Sequence, residues 1–248
     1  RILALTPGGA TIAEAGKLLA AHGYGPSRLT VLEHMGGARE RIVALTADEA
    51  DSQPFAELNL LAIECRPAPG ARKLSRVPGL PDDAFAHDGQ LTKREVRTIT
   101  LSALAPVSGE MLWDAGAGCG SIAIEWMRSG RAMRACAFER DEKRIEMIAL
   151  NAAALGAPGL KIVEGVAPRS LVGAPAPDAV FLGGSVGDDA NFSACWQARQ
   201  EGGRLVANAV TLEGEAALIA RRADSGGALL RTAIARLDAT GAARAPPS

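Results

Sequence analysis

Two spacings of apolar residues alternate along the second part of the chain. Short apolar runs typical of buried strands are followed by stretches whose apolar residues recur at helical spacing. The predicted strands are 111–114, 134–138, 160–163, 178–182, 204–210 and 228–237, and the predicted helices are 92–104, 120–128, 141–155, 190–200 and 213–223. Regular alternation of strand and helix predicts a doubly wound α/β domain, with a mainly parallel sheet between two helical layers.

The first part of the chain has shorter and more mixed elements. Helical spacing covers 11–22, and strands are predicted at 29–34, 42–45 and 58–64. Two pairs of residues, Thr46 with Glu49 and Thr92 with Glu95, have the spacing of a capping box, so we expect a helix to begin at each.

A proline-rich stretch separates the two parts, because proline favours neither helix nor sheet. The expected organisation is a partial α+β domain at 1–65, a connector at 66–88, the α/β domain at 89–240 and a tail at 241–248. The tail is rich in Ala and Pro, and we expect it to be disordered.

Composition and charge exclude several classes of protein. The 248 residues are 48% hydrophobic and 22% charged, which is ordinary for a globular protein, and no apolar run reaches the roughly 20 residues of a membrane helix. The formal net charge is −1, so the basic surface of a nucleic-acid-binding protein is not expected. We therefore expect neither a membrane protein nor a nucleic-acid partner.

Cysteine and histidine residues do not indicate a metal site or disulfides. The four cysteines form no Cys-x-x-Cys pair and the three histidines are scattered, so we expect no metal. The sequence shows no secretory leader, and the expected compartment is the cytoplasm. Because the chain begins at Arg1 and not at Met, we also expect it to be part of a longer protein.

The strongest chemical signal is a glycine-rich loop between a predicted strand and a predicted helix. It reads Asp114-Ala-Gly116-Ala117-Gly118-Cys119-Gly120, and its glycines allow the backbone to approach a ligand at a helix N-terminus. A dinucleotide fingerprint would need a third glycine where Ser121 stands, and no Gly-Lys-Ser/Thr follows to make a P-loop. The pattern resembles the first motif of S-adenosylmethionine-dependent methyltransferases; the alternative is a glycine turn without a ligand.

Three further strand ends add candidate ligand-binding residues. Glu139 follows the second strand, where a carboxylate can accept hydrogen bonds from ribose hydroxyls; the alternative is a solvated Glu paired with Arg140 or Lys143. After the third and fourth strands, Ala167 and Gly183 are small enough to leave room for a nucleoside. Many methyltransferases have Asp where Val166 stands, so backbone groups would have to bind the adenine. Ordinary turn chemistry is the alternative for these turns.

A family resemblance extends from about Val77 to Leu237. The runs 89–97, 114–126, 165–168, 178–184 and 203–213 together resemble the decarboxylating precorrin methyltransferases of cobalamin biosynthesis. Residues 1–65 resemble the C-terminal half of the tetrapyrrole methylase domain that precedes this domain in the bifunctional precorrin-6Y methyltransferases. Gly36-Gly37, Glu40-Arg41 and 58–64 carry that part.

The resemblance implies a class I, Rossmann-like fold with S-adenosylmethionine as its cofactor. It also implies methylation of a precorrin macrocycle at carbon 15, decarboxylation of the ring C acetate, and assembly as a homo-oligomer. The cofactor residues that it implies are Thr92, Gly116 to Gly120, Glu139 and Ala167, beside Asp114, Val166 and Gly183 from the strand ends.

The chain departs from the family at both ends. The glycine-rich cofactor loops with which the first domain should begin are absent, so methylation at carbon 5 is not expected. The usual last strand of the sheet is missing after Asp238, which would leave a sheet edge exposed.

A precorrin is a polycarboxylate, so basic side chains are the candidate substrate ligands. Arg94 and Arg97 are the chosen candidates from a basic cluster, because guanidinium groups pair with carboxylates bidentately; the alternative is a solvated helix face. The catalytic candidates, by their position after the fifth strand, are Asn208, Thr211 and Glu213. Two other functions stay open: methylation of another small molecule, and a cofactor-binding scaffold without activity.

Overall fold

The computed structural model describes residues 1–237 and 243–244, and it consists of two compact units. The first is Arg1–Leu74 and the second is Ser75–Ser248. The division falls inside the predicted connector, and the second half of that connector belongs to the second unit. No helix among the described residues is long and apolar enough to cross a membrane.

The first unit is an antiparallel four-stranded sheet with one helix. Its elements are β1 (Ile2–Leu5), α1 (Ala10–Ala21), β2 (Arg28–Glu33), β3 (Arg41–Thr46) and β4 (Asn59–Glu64), in the sheet order β1-β4-β2-β3. Ile12 of α1 packs on Leu29, Val31 and Leu61 of the sheet. The helix and the strands β2 to β4 agree with the sequence pattern, whereas β1 was not predicted.

One of the two predicted capping boxes is present. The backbone N–H of Thr46 donates to Glu49 Oε2 at 2.8 Å, although the element that it begins is only a single 3-10 turn, Ala47–Glu49. The capping box predicted at Thr92 and Glu95 is wrong. The helix begins at Arg94, and Lys93 occupies the N-cap without a side-chain cap.

The second unit is a doubly wound α/β domain, as predicted. The strands are β5 (Met111–Ala115), β6 (Arg134–Glu139), β7 (Lys161–Glu164), β8 (Ala179–Gly183) and β9 (Arg204–Asn208), and the helices are α2 (Arg94–Leu104), α3 (Ser121–Ser129), α4 (Glu142–Ala154), α5 (Asp189–Ala198) and α6 (Leu212–Ser225). The five strands form a parallel sheet in the order β7-β6-β5-β8-β9.

Both faces of the sheet are covered. Alternate residues of β5 point to opposite faces. On one face Trp113 packs edge-on against Phe138 and belongs to a core cluster with Phe192 of α5. On the other face α3 packs against β5 and β6 and buries Ile122 and Ile124. The central strands are therefore apolar on both sides, which explains their continuous hydrophobic runs.

The strand predicted at 228–237 is wrong for most of its length. Residues 226–235 have no regular structure, and only β10 (Arg236–Leu237) pairs, with β11 (Ala243–Arg244) in a separate two-stranded ribbon. The predicted strand has no described neighbour in the parallel sheet, and without a ladder of backbone hydrogen bonds a strand is not stable. The strand expected to be missing after Asp238 and the tail at 241–248 lie outside the described residues, except for 243–244.

The segment of residues 79–92, which precedes α2, is held on the second unit; we call it the strap. Its beginning is fixed by Glu125 of α3, which is 2% exposed. The Glu125 carboxylate accepts hydrogen bonds from the N–H groups of Gly79 and Leu80, the latter at 3.0 Å, and from Arg97 Nε at 2.7 Å. A buried carboxylate is stable only with such partners, so the strap is integral to this unit.

We expect Glu125→Gln to destabilise the second unit by about 3–5 kcal/mol, because Arg97 would lose its buried counter-ion and keep only the partly exposed Asp82. Chemical denaturation followed by tryptophan fluorescence measures this, since Trp113, Trp126 and Trp196 all lie in the second unit. Glu215→Gln is the matched control, because the Glu215–Arg231 pair is exposed and its loss should change the stability by less than about 1 kcal/mol. Equal effects of the two substitutions would contradict the expectation.

Candidate functional site

The order of the strands places a crevice between β5 and β8. The chain proceeds from β5 to β6 and β7 on one side and then to β8 and β9 on the other, so the loops after β5 and β8 diverge. In open α/β sheets ligands bind at the carboxyl ends of the strands at this point. Gly116 follows β5 and Gly183 is the last residue of β8, and a Cβ on Gly183 would lie 3.2 Å from the carbonyl oxygen of Gly116. The close approach of the two loops therefore depends on the absence of side chains.

The glycine-rich loop has the backbone conformation that its sequence predicts. Gly116, Gly118 and Gly120 have φ of +79°, +60° and +79°, a left-handed region that side chains disfavour. The N–H groups of Gly116 and Ala117 donate to the carbonyl of Phe138 at 3.0 and 3.1 Å, which ties the loop to the end of β6.

Glu139 lies against this loop at the end of β6 and is 6% exposed. Its Oε2 accepts the N–H of Gly118 at 2.8 Å, and its Oε1 accepts the N–H groups of Arg140 and Asp141 at 2.9 and 3.2 Å. Within the described residues no ion pair joins Glu139 to the side chains of Arg140 or Lys143, the alternative partners. The carboxylate is therefore oriented by backbone N–H groups beside the glycine-rich loop, and its role as a ribose ligand stays a prediction.

Asp114 is a second carboxylate, buried beneath the loop and 1% exposed. Its Oδ2 accepts the N–H of Ala123 at 3.1 Å, whereas its Oδ1 has no hydrogen-bond partner. Burial raises the pKa of Asp114 to about 7, and the neighbouring Glu139 carboxylate adds to the shift. An unpaired buried carboxyl oxygen fits a site that receives hydrogen-bond donors or positive charge from a ligand.

The turn after β7 contributes residues of two kinds. Gly165 donates its N–H to the carbonyl of Glu139 at 2.8 Å, so this turn is joined to the second strand end. Val166 is 54% exposed, and Ala167 is half-buried against the sheet core. Because neither side chain has a polar atom, only backbone groups of these two residues can hydrogen-bond a base.

The remaining loop residue, Cys119, has a structural environment. Its side chain is 3% exposed, and burial raises the pKa of its thiol, so it is not an activated nucleophile. Its carbonyl accepts a hydrogen bond from Asn151 of α4 at 3.0 Å. Asn151 was not among the predicted site residues; the only signal in the sequence is a polar residue on a helix face that otherwise packs inwards.

The strap also lies close to the glycine-rich loop. A Cβ on Gly118 would lie 3.9 Å from the carbonyl oxygen of Gln90. Thr92, the last strap residue, is half-buried, and its carbonyl accepts a hydrogen bond from Arg97. Thr92, a predicted cofactor residue, is thus two residues after Gln90, whose carbonyl lies near the loop.

The prediction that Arg97 binds substrate is wrong. Arg97 is 0% exposed, and its guanidinium group pairs with Glu125 and with Asp82, at 3.1 Å, and stacks over Phe85. It also donates to backbone carbonyls of Leu80 and Thr92, so no donor is directed to solvent. A single sequence shows the charge of this residue but not the carboxylate that is buried with it.

Arg94, the other substrate candidate, is exposed at the first turn of α2. It lines a surface pocket of about 390 Å³ together with Asp82, Asp83 and Glu95. This acidic surrounding is not what a polycarboxylate would need. A substrate contact of Arg94 stays a prediction.

The three catalytic candidates lie at or just after the carboxyl end of β9. Asn208 donates to Thr100 Oγ1 of α2 at 2.9 Å, and Thr211 caps α6 by accepting the N–H of Gly214 at 3.1 Å. Glu213 is exposed in the first turn of the same helix. Two of the side chains therefore have structural partners, and a catalytic role for any of them stays a prediction.

The titration of Asp114 should appear in the stability of the protein without ligand. Its pKa is raised from an ordinary 3.8 to about 7, so between these values the folded state holds a proton that the unfolded state has released. Stability should therefore fall as the pH rises through this window. We expect thermal melts of the parent protein to show this fall relative to Asp114→Asn, which cannot titrate. A difference between the two melting temperatures that is constant with pH would contradict the assignment.

The comparisons with known proteins agree with the geometry. A family model described as "Precorrin methyltransferase domain" matches residues 83–246. A precorrin-6Y C(5,15)-methyltransferase [decarboxylating] of Sinorhizobium sp is 49% identical over 236 residues, which are 95% of this chain and 57% of the relative. A Mycobacterium tuberculosis relative of the same name is 45% identical over 217 residues, 86% of this chain and 54% of its own. The chain thus spans little more than half the length of these curated relatives.

A solved structure matches the second unit. The C-terminal domain of precorrin-6Y C5,15-methyltransferase from Rhodobacter capsulatus is 46% identical, with a TM-score of 0.64, over 69% of this chain and 95% of that chain. The matched family model covers the strands and loops that form the crevice. The chain belongs to the precorrin methyltransferase domain family.

Proposed function

We propose that the second unit binds S-adenosylmethionine and methylates a precorrin macrocycle at carbon 15, with decarboxylation of the ring C acetate. The observation that carries the proposal is the contact between Glu139 and the Gly118 N–H at the crevice. The names of the matching relatives support the choice of substrate and reaction.

The chemistry of the crevice fits each part of this cofactor. The Glu139 carboxylate would accept the ribose hydroxyl protons, and the backbone of Val166 and Ala167 would meet the adenine. Gly116 and Gly183 allow the two loops of the crevice to approach each other closely, and their backbone groups would meet the methionine part. The unpaired Oδ1 of Asp114 is an acceptor for its ammonium group, directly or through water. When bound, the cofactor supplies a methyl group that is already activated for transfer.

The proposed reaction requires little acid–base catalysis by the protein. Transfer to a nucleophilic macrocycle carbon needs alignment of the two reactants, which a rigid crevice provides. In the decarboxylation the carbon–carbon bond to the carboxylate breaks, carbon dioxide leaves, and the electron pair is accepted by a protonated imine of the macrocycle. A proton must later reach the carbon that lost the carboxylate. The residues of the crevice therefore mainly bind, orient and exclude water.

The substrate is proposed to enter over the end of β9. Val210 is 97% exposed and Leu212 80% exposed, and they flank Thr211 at the carboxyl end of that strand. Together they offer an apolar surface for a macrocycle beside the methyl-transfer site. Lys93, exposed at the start of α2, is a candidate partner for its peripheral carboxylates, and Arg94 beside it is a second candidate although the pocket that it lines is acidic.

We propose no separate activity for the first unit. The proposal concerns the second unit and carbon 15. Four free thiols, at Cys65, Cys119, Cys136 and Cys195, support the proposal that the protein acts in the reducing cytoplasm. Homo-oligomer formation stays a prediction.

Cofactor binding is tested by calorimetry with S-adenosylmethionine. We expect Glu139→Gln to raise the Kd by roughly tenfold to a hundredfold, because hydrogen bonds to a charged acceptor are lost. The matched control is Glu164→Gln at the end of the neighbouring strand, where Glu164 is exposed and pairs in register with Glu139. The control should bind as the parent protein does. Equal Kd values for the parent and Glu139→Gln would remove Glu139 from the site.

The reaction is tested by incubating the protein with cofactor and a precorrin and by measuring the mass of the product. We expect the gain of one methyl group and the loss of one carbon dioxide. Tight cofactor binding with an unchanged precorrin would favour a scaffold without activity or a different small-molecule substrate.

A further inference from the structure

We propose that the strap is a wall of the cofactor site and that Asn151 of α4 is the positioning residue that sets its distance from the glycine-rich loop. The inference rests on the proposed binding of S-adenosylmethionine. It assigns a role to a residue outside the strand ends and their loops.

Asn151 makes hydrogen bonds to both segments at once. Its Oδ1 accepts the N–H of Ala86 in the strap at 2.8 Å, and its Nδ2 donates to the carbonyl of Ala86 at 2.9 Å. The same Nδ2 donates to the carbonyl of Cys119 in the loop at 3.0 Å. The side chain is therefore saturated by two segments that lie far apart in the sequence.

No other described contact of this kind links the two segments. Among the described residues, no backbone–backbone hydrogen bond joins the strap to residues 114–120. The Glu125 carboxylate holds the beginning of the strap, at Gly79 and Leu80, and not the part that approaches Gly118. Asn151 is 3% exposed, so its hydrogen bonds are shielded from water and difficult to replace.

A second residue of α4 holds the strap at its exposed side. Arg144 Nε donates to Asp88 Oδ2 and Arg144 Nη2 donates to Gln90 Oε1, both at 2.8 Å. The pKa of Asp88 is lowered by hydrogen bonds from the Gln90 N–H and from Arg144, so this carboxylate stays charged near neutral pH. Asn151 and Arg144 thus fix the strap from Ala86 to Gln90, next to Gly118.

The position of the strap matters because the strap and Glu139 both lie next to the same glycine. Glu139 accepts the Gly118 N–H, and a Cβ on Gly118 would be in van der Waals contact with the Gln90 carbonyl oxygen. A cofactor at this loop would contact the strap, and a strap free to move away would lose those contacts. The arrangement predicts that Asn151 acts on cofactor affinity through the strap, without touching the reacting atoms.

The test compares two buried asparagines in the same chain. Asn151→Asp keeps the acceptor for the Ala86 N–H but replaces the donor to two carbonyls by a carboxylate oxygen. Asn59→Asp is the matched control, because Asn59 is 5% exposed and its Nδ2 also donates to a backbone carbonyl, that of Ala56, but in the first unit. Both variants are expected to melt at a lower temperature than the parent protein.

Only Asn151→Asp is expected to weaken cofactor binding, by roughly tenfold, in calorimetry with S-adenosylmethionine. Hydrogen exchange of the free protein should show faster exchange in the strap and the glycine-rich loop for this variant, without a change in the first unit. An unchanged Kd for folded Asn151→Asp would overturn the inference. Failure of the parent protein to bind the cofactor would instead refute the proposed function.

A surface variant keeps the inference testable if Asn151→Asp does not fold. Arg144→Gln removes the ion pair with Asp88, and we expect the Kd to rise about threefold and to become less sensitive to salt. Lys143→Gln makes the same change of charge at the adjacent exposed position and should leave the Kd unchanged. Identical Kd values for Arg144→Gln and Lys143→Gln, with Asn151→Asp unfolded, would also overturn the inference.

Discussion

The burial of one carboxylate, that of Glu125, constrains the second unit more than any other interaction described. Removing a charge from water is unfavourable unless its hydrogen bonds are replaced, and three groups replace them: the N–H groups of Gly79 and Leu80 and the guanidinium of Arg97. Arg97 must in turn satisfy its other donors, and it donates to two backbone carbonyls of the strap, those of Leu80 and Thr92. A single pair of charges therefore determines where the strap begins and how α2 starts. The position of the strap beside the crevice at the carboxyl ends of the strands depends on that arrangement.

Much of the fold could be predicted from the sequence because local patterns report local structure. The central strands are buried on both faces, so they appear as apolar runs, and the glycine-rich loop follows one of them directly. β1 was not predicted, because its four residues, Ile-Leu-Ala-Leu, form an apolar run too short to distinguish a strand from a helix by periodicity. The strand predicted at 228–237 has the right composition, but a strand also needs a neighbour, and a sequence pattern does not show whether one is present.

The candidate site could be predicted only where its residues follow strands. Asp114 and Glu139 lie at the carboxyl ends of β5 and β6, next to the crevice that the strand order forms. The role of Asn151 depends on a contact with Ala86, 65 residues earlier in the chain, and no local pattern records it. Arg97 failed as a substrate candidate for the same reason, since its partner Glu125 lies 28 residues later. Charge and spacing reveal which side chains can bind a ligand, whereas burial decides which of them are already engaged within the protein.

The strap also determines how the second unit could be excised as a separate polypeptide. The sequence pattern suggests a domain that begins at residue 89, after the last proline of the connector, yet two partners of Glu125, Gly79 and Leu80, lie before that point. A polypeptide started there would keep every strand and helix of the parallel sheet and still expose the inner surface against which Leu80 and Phe85 pack. The natural cutting point is the junction between Leu74 and Ser75, where the two units divide. The boundary of an autonomous domain is thus set by its buried charges as well as by its regular elements.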